Sequence, residues 1–339
     1  MKILMVSPPW IRVPPLGYGG IEWVVSLLAD ELARRGHDIT LFATGDSGTK
    51  AKLKYVFDEG QTSKMGMTMY DAMQVSEALR ISDDYDIVHD HSGFLGVAFS
   101  HMIKVPVLHT LHGPFTVDTS TFYTHFKDAC YFNAISEYQR SCLPILNYVN
   151  TVYNGIDIQS YEYSEDKDDY LILVSRVNPN KGTHLAIQVA KELGEKLVLV
   201  GKIDPIDMEY FQTQVEPEID GEQIVFMGEV GGSEKRELIK RAKCFVFPIQ
   251  WPEPFGLVMA EAMACGTPVV ALRNGSSSEV VVHGKVGYVV DTLNEMVEAV
   301  KMVSDIDPRV CRDYVLANFS PEKMADGYEE NYRKILEQR

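Results

Sequence analysis

The stretch CFVFPIQWPEPFGLVMAEAMACGTPVVAL, residues 244–272, decides the fold. Its two ends, Cys244–Pro248 and Pro268–Leu272, are short runs apolar on both faces, as expected of strands covered by helices on each side. Between them a helix opens near Phe255. A strand, a helix and a second strand in so short a span imply a parallel pair joined by a right-handed crossover.

The same alternation runs outward in both directions. Upstream lie Lys2–Ser7, Asp38–Ala43, Asp86–His89, Val105–Thr110, Tyr131–Ser136 and Thr151–Asn154. Tyr170–Val177, Lys196–Gly201 and Ile224–Gly228 precede the opening stretch, and Gly287–Val290 follows it. Six runs in each half give an α/β chain of two doubly wound, Rossmann-like parallel-sheet domains. The best-formed helix is Ile21–Arg35, with Ile21, Val24, Val25, Leu28 and Leu32 on one face and Gly36 as its stop. The expected boundaries are residues 1–155 for the first domain, 156–169 for an acidic linker and 170–318 for the second. Residues 319–339 form a last helix that packs back on the first domain, carrying Met324, Tyr328 and Tyr332.

A length of 339 residues fits two domains at about 150 residues each. Apolar residues at 45% supply a real core. The formal net charge is −16, with −4 in residues 1–150 and −12 in the rest, which excludes a broad basic face for nucleic acid. Any anionic ligand must then be held by a few placed cations and backbone dipoles. No run reaches the 18 or more apolar residues of a membrane span, and the start is too short and proline-broken for a signal segment. Five cysteines, odd in number and without close pairs, read as reduced thiols in the cytoplasm.

In open parallel sheets ligands bind beyond the C-terminal ends of the strands, and four such loops carry candidate chemistry. Gly17-Tyr18-Gly19-Gly20 joins the first strand to its helix; it is either a flexible turn or a close backbone approach to an anion. Ser175 to Gly182 places Arg176 and Lys181 at a strand exit, either as solvated cations or as partners for a diphosphate. Trp251 to Glu261 holds two glutamates, Glu253 and Glu261, about 12 Å apart at helical rise. That is too far for a catalytic pair on one bond. It suits hydroxyls at two ends of an extended ligand, with the free N–H groups of Phe255, Gly256 and Leu257 between them. His112, in Leu108-His109-Thr110-Leu111-His112-Gly113-Pro114, is either a core histidine or a sugar contact. His89-Asp90-His91 is not expected to ligate a metal jointly, since adjacent strand residues face opposite ways. The Asp-x-Asp pairs at Asp84/Asp86, Asp166/Asp168 and Asp305/Asp307 lie at the wrong ends of their elements for a metal clamp.

With these residues assembled, the chain resembles the retaining glycosyltransferases of family four, which have the GT-B fold of two domains facing across a cleft. The resemblance rests on Gly19-Gly20-Ile21-Glu22, Arg35-Gly36-His37-Asp38, Thr110-Leu111-His112-Gly113 and Asn154-Gly155-Ile156-Asp157. In the second half it rests on Ser175-Arg176-Val177 with Lys181-Gly182 and on Glu229-Val230. The most specific part is Glu253-Pro254-Phe255-Gly256-Leu257 through Glu261 to Gly266-Thr267-Pro268-Val269. Pro14-Pro15-Leu16-Gly17-Tyr18-Gly19-Gly20-Ile21-Glu22-Trp23 is similar to bacterial antibiotic-pathway and cell-surface members.

The resemblance implies transfer of a hexose-type sugar, with retention, from a nucleotide-diphosphate sugar. A UDP-sugar is the expected donor, and no metal or other cofactor is needed. Arg176 and Lys181 would neutralise the diphosphate, Glu253 would bind sugar hydroxyls and Glu261 the ribose. His112 would contact the sugar, the backbone of Gly19 and Gly20 would meet phosphate, and Glu229 and Val230 would flank the base. The acceptor, a sugar, lipid-linked sugar or small molecule, falls to the first domain. There the cluster Lys50, Lys52, Lys54 and Lys64 reads as a solvated loop and does not indicate peripheral membrane contact. One departure stands out: Pro248-Ile249 reaches Glu253 one residue later than in the family's pattern, so a differently shaped loop is expected. The alternatives are a nucleotide-sugar epimerase or hydrolase of the same architecture, or a non-catalytic nucleotide-binding relative.

Overall fold

The computed structural model describes residues 1–338, so the expected end of the last helix at Arg339 lies outside the described residues. Two compact units form: Met1–Ile156 with the segment from Phe319 onward, and Asp157–Asn318.

The first unit contains β1 (Lys2–Val6), β2 (Asp38–Ala43), β3 (Lys52–Tyr55), β4 (Ile87–Asp90), β5 (Val107–Thr110), β6 (Tyr131–Ala134) and β7 (Tyr148–Thr151), in sheet order β3-β2-β1-β4-β5-β6-β7. Every pairing is parallel. The strands number seven, not six. Lys52–Tyr55 is an edge strand with both lysines exposed, so it lacks the apolar run that marks the buried strands. Lysine on an edge also discourages pairing with another chain. The last strand begins three residues before the expected Thr151, at Tyr148.

The sheet forms because its central strands are apolar on both faces. Ile3, Leu4, Met5 and Val6 are fully buried, each contributing roughly 1.5–3 kcal/mol. The helix Gly20–Arg34 lays Val24, Val25, Leu28 and Leu32 on that sheet. It ends in a Schellman turn at Gly36, where the Gly36 and His37 N–H groups donate to the Ala33 and Leu32 carbonyls at 3.0 and 3.2 Å.

The final helix, Pro321–Glu337, is capped by Ser320 and belongs to this first unit. Burial of Met324, Tyr328, Tyr332 and Ile335 seats it. Tyr332 Oη is 2.7 Å from His89 Nδ1, and Asn331 donates to Asn133 at 3.0 Å. Arg35 adds ion pairs to Asp326 and Glu329.

The second unit contains β8 (Asp168–Val174), β9 (Lys196–Val200), β10 (Ile224–Phe226), β11 (Ala242–Phe247), β12 (Val269–Leu272) and β13 (Gly287–Val290), ordered β10-β9-β8-β11-β12-β13 and all parallel. The acidic run Glu165–Asp169 is not simply a solvated linker. Asp168 opens β8 and pairs with Arg241, while Lys167 Nζ donates to the Lys240 and Cys265 carbonyls and to Thr267. In both sheets the strand order reverses beside the first strand, between β1 and β4 and between β8 and β11. Loops leaving those strands diverge and open a crevice.

Candidate active site

Arg176, Lys181 and Glu253 lie on the two loops that leave the β8/β11 reversal. Past Val174 the backbone still pairs with its neighbour, Ser175 and Val177 donating to the Val200 and Lys202 carbonyls, which holds Arg176 in register. Asn178 then caps a tight turn at Pro179–Lys181, accepting from the Lys181 N–H at 3.0 Å. Gly182 follows at φ +68°, and a Cβ there would lie 2.1 Å from the Pro248 carbonyl oxygen. Only glycine allows the β8 and β11 loops to approach this closely. The Gln250 N–H donates across the gap to the Asn180 carbonyl at 2.7 Å.

That approach brings Lys181 to Glu253. The ammonium is ion-paired with Glu253 Oε2, which also accepts from Trp251 Nε1 at 2.8 Å. Both charged side chains are about six-sevenths buried, at 14% and 13% exposed. The segment between Pro248 and Glu253 carries Trp251. Its ring centroid lies 5.1 Å from Lys181 Nζ and gives the ammonium an aromatic face.

Arg176 is more open and meets Asp204 at 3.4 Å; Lys202 reaches the other oxygen of that carboxylate at 2.9 Å. Lys202 and then Arg176 hold the Asp204 carboxyl below its usual range. The structure therefore places Lys181 with Glu253, and Arg176 with Lys202 and Asp204, as two charge groups that share the loop after β8 and draw their partners from the loops after β11 and β9.

The helix after Glu253 begins at Leu257, not near Phe255. Phe255 is buried, with its carbonyl accepting from Ser276 Oγ at 2.9 Å, and Gly256 at φ +80° turns the chain into the helix. Helical rise consequently applies only from Leu257 to Glu261, and the 12 Å span between the glutamates does not follow from it. Glu261 is neither solvated nor unpartnered. It is 2.9 Å from Lys235 Nζ and hydrogen-bonds Tyr161, whose phenol is pushed up chiefly by burial and then by this carboxylate. Glu229 and Val230 follow β10, with Glu229 exposed.

In the first unit, Gly19 at φ +156° precedes the helix that begins at Gly20 and accepts from the Trp23 N–H at 3.1 Å. Glu22, one turn in, is buried, and burial pushes its carboxyl up to about 7. His112 follows β5, and Gln139 Nε2 donates to the carbonyls on both sides of it, Leu111 at 3.2 Å and Gly113 at 2.9 Å. His112 Nε2 is 2.9 Å from His91 Nδ1. Burial, with the nearby His109, pushes the His112 imidazole down to about 3. His89 and His91, two residues apart, do share a face, with ring centroids 4.0 Å apart. Both nitrogens of His89 are taken, by Tyr332 and Thr110, while Asp90 is engaged with His109 at 2.6 Å.

Sequence reading missed Lys202, Asp204, Lys235, Tyr161, Trp251 and His91 as members of these groups. Lys235 had one available signal, its place in the first turn of the helix just after Glu229-Val230.

Two family models match in succession: glycosyltransferase family 4 over residues 18–160, and glycosyl transferases group 1 over residues 157–307. N-acetyl-alpha-D-glucosaminyl L-malate synthase of Bacillus anthracis is 26% identical, with 95% of each chain covered. The crystal structure of AviGT4, a glycosyltransferase involved in avilamycin A biosynthesis, superposes with a TM-score of 0.76 at 26% identity, covering 100% of this chain and 99% of that one. Anabaena Alr3699/HepE in complex with UDP and glucose shares the fold at a TM-score of 0.76 and 18% identity, covering 98% and 100%. Among the described residues no helix is long and apolar enough to cross a membrane. With both halves matched in this order and two reversed parallel sheets beneath them, the chain belongs to the family-four glycosyltransferases of GT-B fold.

Proposed function

We propose that this glycosyltransferase moves a hexose-type sugar, with retention, from a nucleotide-diphosphate sugar to an acceptor hydroxyl, without a metal. The observation that carries this reading is the placement of Arg176 and Lys181 on the strand-exit loop of the β8/β11 reversal, with Glu253 bound to Lys181. Arg176 and Lys181 neutralise the diphosphate and the charge it gains as the glycosidic bond breaks, the role of a preorganised electrostatic stabiliser. An ammonium has three donors, so Lys181 can hold Glu253 and an anion together. Glu253, fixed by Lys181 and Trp251, accepts from sugar hydroxyls, and Glu261, fixed by Lys235, accepts from ribose hydroxyls. Leu257 begins a helix whose first N–H groups lack intrahelical partners and suit phosphate oxygens. In the first unit His112 and the Gly19-Gly20 turn are the ligand-facing groups. UDP is favoured over other nucleotides by the family resemblance. The leaving phosphate takes the acceptor's proton on the same face, with no glycosyl-enzyme formed.

Incubation with a panel of nucleotide sugars, with and without cell extract, tests the proposal. Expected are acceptor-dependent nucleotide release, a product anomer matching the donor by NMR, and full rate in EDTA. A changed sugar without acceptor identifies an epimerase instead, and an inverted anomer refutes retention.

A further inference from the structure

The contact between His112 and His91 leaves only one nitrogen of His112 to a ligand. Nε2 of His112 is 2.9 Å from Nδ1 of His91, and the ring planes are inclined by 29° with centroids 5.2 Å apart, the separation of two rings joined edge to edge by that hydrogen bond. Both imidazoles are neutral near pH 7, because burial and neighbouring imidazoles push them down. Between two neutral imidazoles one nitrogen must donate and the other accept.

The far side of His91 settles which. Its Nε2 is buried and has no hydrogen-bond partner among the described residues. Were His91 Nδ1 the acceptor, that orphaned Nε2 would carry the proton. A buried N–H without an acceptor is rarer than an unfilled lone pair and costs about 1–3 kcal/mol. With His91 Nδ1 as donor, Nε2 holds only a lone pair and the larger penalty disappears. His91 is also held in place: its backbone N–H donates to the Val6 carbonyl at 2.9 Å, and His89, satisfied on both nitrogens, backs its ring.

We infer that His91 is a positioning residue that fixes His112 as the Nδ1–H tautomer, so that His112 offers its ligand a hydrogen-bond donor and not a lone pair. This rests on the reading of His112 as a ligand-facing group. A fixed donor recognises an oxygen acceptor, such as a hydroxyl, and cannot serve as a general base.

Long-range proton–nitrogen NMR of the 15N-histidine-labelled wild-type protein reads the tautomers directly, with His112 assigned by loss of its signals in H112Q. The expected result is protonation at Nδ1 in both His91 and His112; a His112 protonated at Nε2 overturns the inference. The variants H91N and H91F add a functional arm. The side-chain amide of H91N retains an N–H near the Nδ1 position, so this variant should keep both the tautomer and kcat within about threefold. H91F, which fills the space without a donor, should lose the fixed tautomer and lower kcat about tenfold or more with donor KM nearly unmoved, the scale of lost outer-shell partners. Unchanged turnover in H91F, or equal losses in both variants, overturns the positioning role. Full turnover in H112Q would remove the ligand-facing reading instead, while the wild-type spectrum still decides the tautomer.

Discussion

Replacing Lys181 with methionine separates the chemistry of this residue from its structural work. The wild-type ammonium is ion-paired with Glu253 in a setting where each side chain is only about one-seventh exposed. Deleting one member of a fully buried pair costs roughly 3–5 kcal/mol, because the other charge is stranded. Here Trp251 still donates to the carboxylate, so K181M should lose about 2–3 kcal/mol, a reduced form of that penalty. In K181M/E253Q no charge is stranded, and urea unfolding should return to within about 1 kcal/mol of wild type. Turnover should behave differently. If Lys181 stabilises the leaving diphosphate, donor-dependent nucleotide release falls about 100-fold or more in K181M, as for loss of other preorganised donors. The double variant must remain as slow. Recovery of turnover together with stability would show that Lys181 only keeps the loop in shape, and near-wild-type rates in K181M would refute the leaving-group role outright.

Three further expectations follow from other contacts. Asp204 places a negative charge beside Arg176, so D204N should tighten nucleotide-diphosphate binding about fivefold by calorimetry, worth about 1 kcal/mol; weaker binding would mean that Asp204 serves mainly to orient Arg176. The Glu22 carboxyl, raised by burial to about 7, contributes stability below its ordinary value near 4.5 that is lost as pH rises through 7. This contribution amounts to about 3 kcal/mol, and E22Q should flatten that part of the Tm–pH profile between pH 5 and 8; an unchanged slope refutes the assignment. Gly182→Ala meets both a left-handed backbone and the Pro248 carbonyl, so it should cost about 2 kcal/mol or more in urea unfolding and lower turnover with it.

Most of the architecture was legible because buried parallel strands announce themselves. Ile3–Val6, Leu171–Leu173 and Phe245–Phe247 are apolar at every position, as strands covered on both faces are. Lys52–Tyr55 was hidden for the opposite reason: an edge strand faces solvent, and its lysines resemble a loop. At the site, the residues of the loops that leave β8 and β11 were visible, among them Arg176, Lys181 and Glu253. Their partners were not. Asp204 reaches Arg176 across 28 positions and Lys235 reaches Glu261 across 26, and only the sheet order makes them neighbours. His91 was set aside with His89 as a failed metal motif, although residues two apart on a strand face the same way.

The seating of Tyr328 and Tyr332 in the first sheet also has a consequence for synthesis. The first unit cannot be finished until the second has been translated: its sheet is covered by a helix that follows the whole of Asp157–Asn318. At about 5–20 residues per second, a ribosome needs roughly 10–30 s to make that intervening stretch. During this interval Tyr332 and Tyr328, whose hydroxyls meet His89 and Thr110, have not yet been made. The second unit, which is continuous in sequence, can reach its native state while the first still waits, so order of emergence and order of completion are reversed.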